Sequence, residues 1–177
     1  MMLDLFDKFG NSLHYSIPMP SEKLIDGGSV VPIEKRRRII DIAAKYVDNN
    51  VFGTRGRPAM CEQFSILVKH MLLKEGIQSE IKTGKARYIG NEVDFTWEHF
   101  WLETEHKEIV DCNVDSMPFH FDVPEGIAPY NYWGNSDNLP SDRVFSQVRT
   151  FSADELAELE SEDDETVLWK KGIDNEY

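Results

Sequence analysis

The chain has 177 residues, of which 32 are acidic and 19 are lysine or arginine, so its formal net charge at pH 7 is −13. This length fits one globular domain, and a composition of 41% hydrophobic and 11% aromatic residues excludes disorder over most of the chain. The negative charge repels a phosphate backbone, which excludes nucleic acid as the main partner. The basic stretch from Glu34 to Arg38 is interpreted as a solvated helix face.

The N-terminal stretch MMLDLFDKFG carries acidic residues where a secretory signal peptide has basic ones. No apolar run reaches the roughly 18 residues of a membrane-spanning helix. We therefore expect a cytoplasmic protein, a monomer, with no membrane partner. Cys61 and Cys112 are expected to be reduced thiols. No C-x-x-C pattern occurs, so no metal site is predicted, and no cofactor is expected.

The first half of the chain predicts two helices. Residues 1–31 contain turn signals and predict an N-terminal segment of irregular or short elements that wraps the domain. The apolar spacing from Pro32 to Asn50 predicts an amphipathic helix. A second helix is predicted from about Met60 to Glu75, with Gly76 as its terminating glycine. The inward stripe of the second helix is Cys61, Phe64, Leu67, Val68, Met71 and Leu72.

Three strand-like segments follow, at residues 77–89, 95–104 and 107–114, and a tight polar turn joins the last two. Helices followed by antiparallel strands predict an α+β fold, with helices packed on an antiparallel sheet. The core of this single domain, residues 1–177, spans about residues 32–115.

The remaining sequence predicts less regular structure. Residues 116–150 are rich in aromatic and turn residues and predict an irregular loop region that faces the substrate. Residues 151–177 predict a short acidic helix, capped by a serine, and then a tail.

Cys61 falls in the first turn of the second predicted helix, where unpaired backbone N–H groups and the helix dipole favour a thiolate. A free cysteine is also a common core residue, so this position fits either a nucleophile or the first member of the buried stripe. A nucleophilic thiol needs a base within hydrogen-bond reach and a third group that orients the base. His99 and Asp111, on neighbouring predicted strands, are the candidates, and Asp115 is a reserve for the acid.

The turn between the two strands decides whether His99 and Asp111 meet. If the loop spans Thr104 to His106, Glu103 pairs with Lys107 and His99 lies opposite Asp111, because residues directly across from each other project to the same side. A two-residue turn would instead send Asp111 to the other face. A site that contains both His99 and Asp111 therefore requires a turn of odd length between these two strands.

The neighbours of His99 have less specific roles. Trp97 and Trp101 alternate onto the same face as His99 and are expected to pack around the site or contact the substrate. His120 is interpreted as a loop residue, and Cys112 as a core residue.

A cysteine that opens the helix CEQFSILVKHMLLKEGI, a strand with HFW and an aspartate that ends the next strand resemble the transglutaminase-like superfamily, over about residues 34–115. The resemblance implies a papain-like α+β core in which Cys61, His99 and Asp111 form a catalytic triad. It further implies acyl transfer or hydrolysis at an amide of a protein or peptide substrate, through a thioester.

The resemblance leaves protease, amidase, protein-glutamine deamidase and transglutaminase activities open. We favour hydrolysis because the chain lacks the extra domains of animal transglutaminases. Arylamine N-acetyltransferases share the core, but TRGRPAMC lacks the second glycine that these enzymes have before the cysteine.

Two alternatives come from other classes of protein. One is a non-catalytic binding module with the same fold, against which the order of cysteine, histidine and aspartate argues. The other is an acidic adaptor that acts through its C-terminal tail.

Overall fold

The computed structural model describes residues 2–6, 12–16, 18–48, 57–162 and 164–177. Its helices are α1 (Ile33–Asp48), α2 (Cys61–Lys74), α3 (Ala153–Glu162) and α4 (Asp164–Glu176). Its strands are β1 (Met2–Phe6), β2 (Ser12–Ser16), β3 (Leu24–Gly27), β4 (Ser79–Ile89), β5 (Asp94–Thr104), β6 (Glu108–Asp111), β7 (Asn131–Asn135) and β8 (Arg143–Phe151). Short 3-10 helices cover Pro20–Lys23, Arg57–Ala59, Val114–Phe119 and Ser136–Asn138. The predicted α+β class is confirmed.

The first two helices lie where the sequence predicts them. Helix α1 follows Pro32 and ends at Asp48, and the last two residues of the predicted helix lie outside the described residues. Helix α2 begins at Cys61 and is stopped by Gly76, whose φ is +76°. The Ile77 N–H donates to Leu72 O at 2.9 Å and the Gly76 N–H to Leu73 O at 3.0 Å. This Schellman motif confirms Gly76 as the terminating glycine.

Six strands form one sheet in the order β3-β7-β6-β5-β4-β8, and β1 and β2 form a separate two-stranded antiparallel sheet. The pairs within the six-stranded sheet are antiparallel except β3 and β7, which are parallel. The predicted purely antiparallel sheet is therefore wrong at one edge. Strand β3 belongs to the N-terminal segment, which the sequence predicted to wrap the domain. It precedes α1 and α2 in the chain and pairs with β7, which follows them.

Helices α1, α2 and α4 form the main core with one face of the sheet. Phe100 and Leu102 of β5 point into this core, while Trp97 and Trp101 pack in clusters on the other face. The fully buried apolar side chains of α1 and α2 are Ile39, Ile40, Ala43, Ala44 and Val47 of α1 and Leu67, Val68, Met71 and Leu72 of α2. Each large one contributes about 1.5–3 kcal/mol on burial. Among the described residues, no helix is long and apolar enough to cross a membrane.

The prediction of an irregular region at residues 116–150 is wrong, because this region contains β7 and most of β8. Strand β7 is buried over most of its length, so it shows no alternation. Strand β8 carries a β-bulge: Thr83 pairs with Arg149 but Lys85 pairs with Ser146, and Gln147 has a φ of +51°. An extra residue in one strand interrupts the period of two, so the sequence pattern does not reveal the strand.

The predicted tail after the acidic helix is also wrong. Ser152 caps α3 as expected, since its Oγ accepts from the Glu155 N–H at 3.1 Å, but α4 follows and buries Trp169 and Ile173 against the main core. Gly172 lowers helix propensity by about 1 kcal/mol, which favours a tail in a sequence-based interpretation. In the fold the glycine is needed, because a Cβ at this position would lie 2.6 Å from the Tyr46 hydroxyl.

The packing of α4 predicts a contrast between two of its apolar residues. Ile173 is fully buried and Leu168 is 62% exposed. We expect Ile173→Ala to lower the free energy of unfolding by about 2–5 kcal/mol, and Leu168→Ala to change it by less than about 0.5 kcal/mol. Urea denaturation followed by circular dichroism measures both. Equal, small effects of the two substitutions would show that α4 does not belong to the core.

Candidate active site

Cys61 is the first residue of α2 and is partly exposed, whereas Cys112 is buried. Among the described residues no side chain caps the helix start, and the Phe64 N–H closes the first turn on Met60 O at 2.8 Å. The backbone N–H of a first helical residue has no acceptor inside the helix. Cys61 therefore combines an accessible thiol with the positive end of the helix dipole.

A buried ion pair holds the turn that precedes Cys61. Arg57 is fully buried, and its guanidinium binds both carboxylate oxygens of Asp115, at 2.6 and 2.8 Å. Its Nη2 also donates to Pro18 O at 2.9 Å, and its own carbonyl accepts from Asn113 Nδ2 at 2.8 Å. Asp115, the reserve candidate for the triad acid, is thus engaged with Arg57 through both carboxylate oxygens.

The turn between β5 and β6 has the predicted odd length. Its residues are Glu105 to Lys107, and Lys107 adopts a φ of +57°. Leu102 pairs with Val110 and Glu103 with Ile109, so the register differs by two residues from the predicted one. Direct opposition of His99 and Asp111 is therefore wrong, but both remain on one face, and they meet diagonally.

His99 and Asp111 form a short hydrogen bond in the interior. The His99 Nε2–H donates to Asp111 Oδ1 at 2.7 Å, and each residue is 1% exposed. Burial opposes a charge on the imidazole, but the adjacent Asp111 carboxylate outweighs burial and raises the pKa of His99 to about 9. Burial likewise opposes ionisation of Asp111, yet the charge and hydrogen bond of His99, with Arg143, lower its pKa. The pair is ionised at neutral pH.

The other ring nitrogen of His99 is available to Cys61. Nδ1 is buried and forms no geometrically good hydrogen bond with any described residue. Burial lowers the pKa of His99, the Asp111 carboxylate raises it, and the Cys61 thiol lies close enough to raise it further. We interpret this as proximity without a formed hydrogen bond, which is common in a catalytic pair without substrate. Cys61, His99 and Asp111 therefore lie in one site.

Two further side chains bind Asp111 and were missed by the sequence analysis. The Tyr88 hydroxyl donates to Asp111 Oδ2 at 2.9 Å, and Arg143 Nη1 donates to the same oxygen at 3.0 Å. Burial and the Asp111 charge raise the pKa of Tyr88 well above its ordinary value, so its hydroxyl stays protonated. Arg143 begins β8, inside the region predicted as irregular, so no sequence pattern connected it with the site.

The two tryptophans beside His99 have different environments. Their rings lie nearly parallel to the His99 ring, with centroids 5.8 Å away for Trp97 and 6.0 Å for Trp101. Trp101 is 2% exposed and stacks on Phe145 at 4.2 Å, so it packs beneath the site and is not accessible to a substrate. Trp97 is partly exposed, and the His120 ring lies nearly perpendicular to it, with ring centroids 5.9 Å apart. Trp97 is thus the one of the two that is accessible to a substrate.

Within the described residues, no group of three or more His, Cys, Asp and Glu side chains has an arrangement that would hold a metal ion. No family model, curated protein or solved structure matches the chain. The chemistry of the site is therefore inferred from its own residues.

The raised pKa of His99 predicts how stability depends on pH. Folding raises this pKa from 6.5 to about 9, so the stabilisation is complete below pH 6.5 and is lost as the pH rises through 9. Its size is on the order of 3 kcal/mol. We expect the free energy of unfolding in urea to fall between pH 6.5 and 9.5, and to fall less in His99→Gln. An equal fall in both proteins would contradict the ionised pair.

Proposed function

We propose that the protein is a cysteine hydrolase or acyltransferase of the transglutaminase-like type, which acts on an amide of a protein or peptide through a thioester. One observation carries this proposal. His99 is oriented by a 2.7 Å hydrogen bond to Asp111 through Nε2, while its Nδ1 is left without a formed bond beside the partly exposed Cys61. A thiol nucleophile needs this order of groups.

In the first half of the reaction, the thiol proton resides on His99 Nδ1 and the Cys61 thiolate attacks the amide carbonyl. The carbonyl π electrons move to oxygen, and the Cys61 backbone N–H donates to the oxyanion. When the C–N bond breaks, the imidazolium gives its proton to the leaving amine, and a thioester remains on Cys61. Asp111 orients the ring and stabilises its charge throughout.

In the second half, an acceptor attacks the thioester carbonyl while His99 takes a proton from the acceptor. The C–S bond then breaks, and the Cys61 thiolate is restored beside the imidazolium. Water as the acceptor gives a protease, an amidase or a protein-glutamine deamidase, and an amine gives a transglutaminase.

The surroundings of Asp111 support a catalytic role. Tyr88 and Arg143 both donate to Oδ2, which leaves Oδ1 to His99. This division fixes the carboxylate plane and keeps it ionised, so Asp111 orients the imidazole without taking its proton.

A non-catalytic binding module remains the second candidate. The observation that favours it is that His99 and Asp111 are almost fully buried, as a structural ion pair would be. The reactivity of Cys61 distinguishes the two functions, because a structural pair has no need of an ionised thiol.

The proposed thiolate predicts a distinctive pH dependence of alkylation. At pH values below its pKa of about 8.5, an ordinary thiol reacts with iodoacetamide about tenfold faster for each unit by which the pH rises. We expect the rate at Cys61 to change less than about threefold between pH 6 and 8, because His99 already holds the proton. Peptide mass spectrometry measures the rates at both cysteines. In His99→Gln the steep dependence should return, whereas a steep dependence in the unaltered protein would favour the binding module.

The thioester predicts a burst with an activated ester. With p-nitrophenyl acetate we expect a rapid release of about one equivalent of p-nitrophenolate per protein, followed by slower turnover. Cys61→Ala should abolish the burst. Cys112→Ala is the matched control, since Cys112 is buried and its thiol donates to Tyr132 O at 3.2 Å. A burst that survives in Cys61→Ala would rule out Cys61 as the acylated residue.

A further inference from the structure

We infer that Phe121, together with His120 and Trp97, forms a subsite for an apolar or aromatic side chain of the substrate. This inference rests on the proposed function and adds the class of substrate residue beside the reacting amide. The three residues are called the aromatic subsite below.

Phe121 is unusual among the apolar residues described. It is 84% exposed, more than any other large hydrophobic side chain in the described part of the chain. A single exposed apolar residue needs no explanation in general. Phe121, however, stacks on His120, with ring centroids 4.8 Å apart and planes inclined by 17°.

Ring contacts connect Phe121 with the candidate active site. His120 meets the Trp97 ring edge-on at 5.9 Å, and Trp97 lies nearly parallel to the His99 ring at 5.8 Å. The exposed face of Phe121 is thus three ring contacts away from the proposed base. An extended peptide advances about 3.3 Å for each residue, so about five residues of an extended substrate span the three ring contacts between His99 and Phe121.

Hydrogen bonds hold the turn that presents Phe121. The His120 N–H donates to Met117 O at 2.9 Å, and His120 O accepts from the Val123 N–H at 3.1 Å. The His120 ring is also fixed, because its Nδ1 accepts from the Asp122 N–H at 3.1 Å. Phe121 is therefore presented to solvent on an ordered turn.

The buried ion pair of Arg57 joins this turn to the nucleophile. Arg57 lies in the turn before Cys61, and Asp115 lies in the 3-10 helix Val114–Phe119 that leads to Phe121. Their bidentate contact, fully buried, fixes the distance between the two segments. A subsite held in place relative to its nucleophile binds a substrate at a lower ordering cost.

The negative charge around Phe121 limits which substrate side chains fit the aromatic subsite. Asp122, next to Phe121, is 63% exposed, and the chain carries a net charge of −13. An acidic substrate side chain is repelled here, whereas an aromatic ring gains stacking with Phe121. The subsite therefore favours phenylalanine, tyrosine, tryptophan or leucine over aspartate or glutamate.

Peptide electrophiles test this inference without knowledge of the natural substrate. Two series of short alanine peptides would carry a chloroacetyl group at the N-terminus or a chloromethyl ketone at the C-terminus, with one phenylalanine moved through successive positions. Second-order rates of Cys61 alkylation would be compared with the all-alanine peptide in the same series. We expect the peptide with phenylalanine at one particular position to alkylate Cys61 about tenfold faster than the all-alanine peptide. The peptide with glutamate at that position should react more slowly than the all-alanine peptide.

Variants assign the preference to Phe121. Phe121→Ala should reduce the tenfold preference to less than about twofold, and Phe121→Trp should retain it. The rate of each variant with plain chloroacetamide is the reference for its own peptide rates. Leu168→Ala, at an exposed apolar residue of α4, is the matched control and should keep the full preference.

The outcomes separate the subsite from the catalytic site. If Cys61 reacts with chloroacetamide with a rate nearly constant between pH 6 and 8, but no peptide position is preferred, the subsite is wrong and the proposed function stands. A preference that persists in Phe121→Ala likewise overturns the subsite. If Cys61 does not react faster than Cys112 with any reagent, the proposed function fails, and the subsite fails with it.

Discussion

The carboxylate of Asp111 is the group on which the site depends most. It is buried at the end of β6 and binds His99 of β5, Tyr88 of β4 and Arg143 of β8. A buried charge that loses its partner costs about 3–5 kcal/mol, so these three strands keep their relative positions. The same contacts orient the imidazole and keep it positively charged. The Asp111 side chain thus both holds the strands in position and sets the orientation and charge of His99.

The ion pair of Arg57 and Asp115 has the complementary role on the other side of the nucleophile. It connects the turn before Cys61 with the segment that carries His120 and Phe121. Cys61 itself lies in the first turn of helix α2. The relative position of nucleophile, base and the aromatic subsite therefore depends on two buried ionic contacts, one at Asp111 and one at Asp115.

This arrangement suits the proposed acyl transfer because each group would need little rearrangement during it. His99 lies close to Cys61, Asp111 already compensates its charge, and Tyr88 and Arg143 hold Asp111. The aromatic rings on both sides of His99 exclude water from it, which strengthens these electrostatic contacts. Burying so many charged groups is costly in itself. A chain that only needed a stable sheet would be as well served by apolar residues of similar volume, so the cluster argues for function.

The amino-acid sequence by itself determined the local elements and the composition of the proposed triad. The spacing of apolar residues and Gly76 predicted α1 and α2 to within one or two residues, because helix contacts are local. Alternation in β5 and the odd turn put His99 and Asp111 on one face, since parity survives a shift of two residues. Only the tertiary structure decided the rest. The bulge in β8, the parallel pair of β3 with β7, the docking of α4, and the contacts of Tyr88 and Arg143 with Asp111 join residues distant in the chain. Their pairing depends on register, twist and burial, and no period in the sequence encodes these.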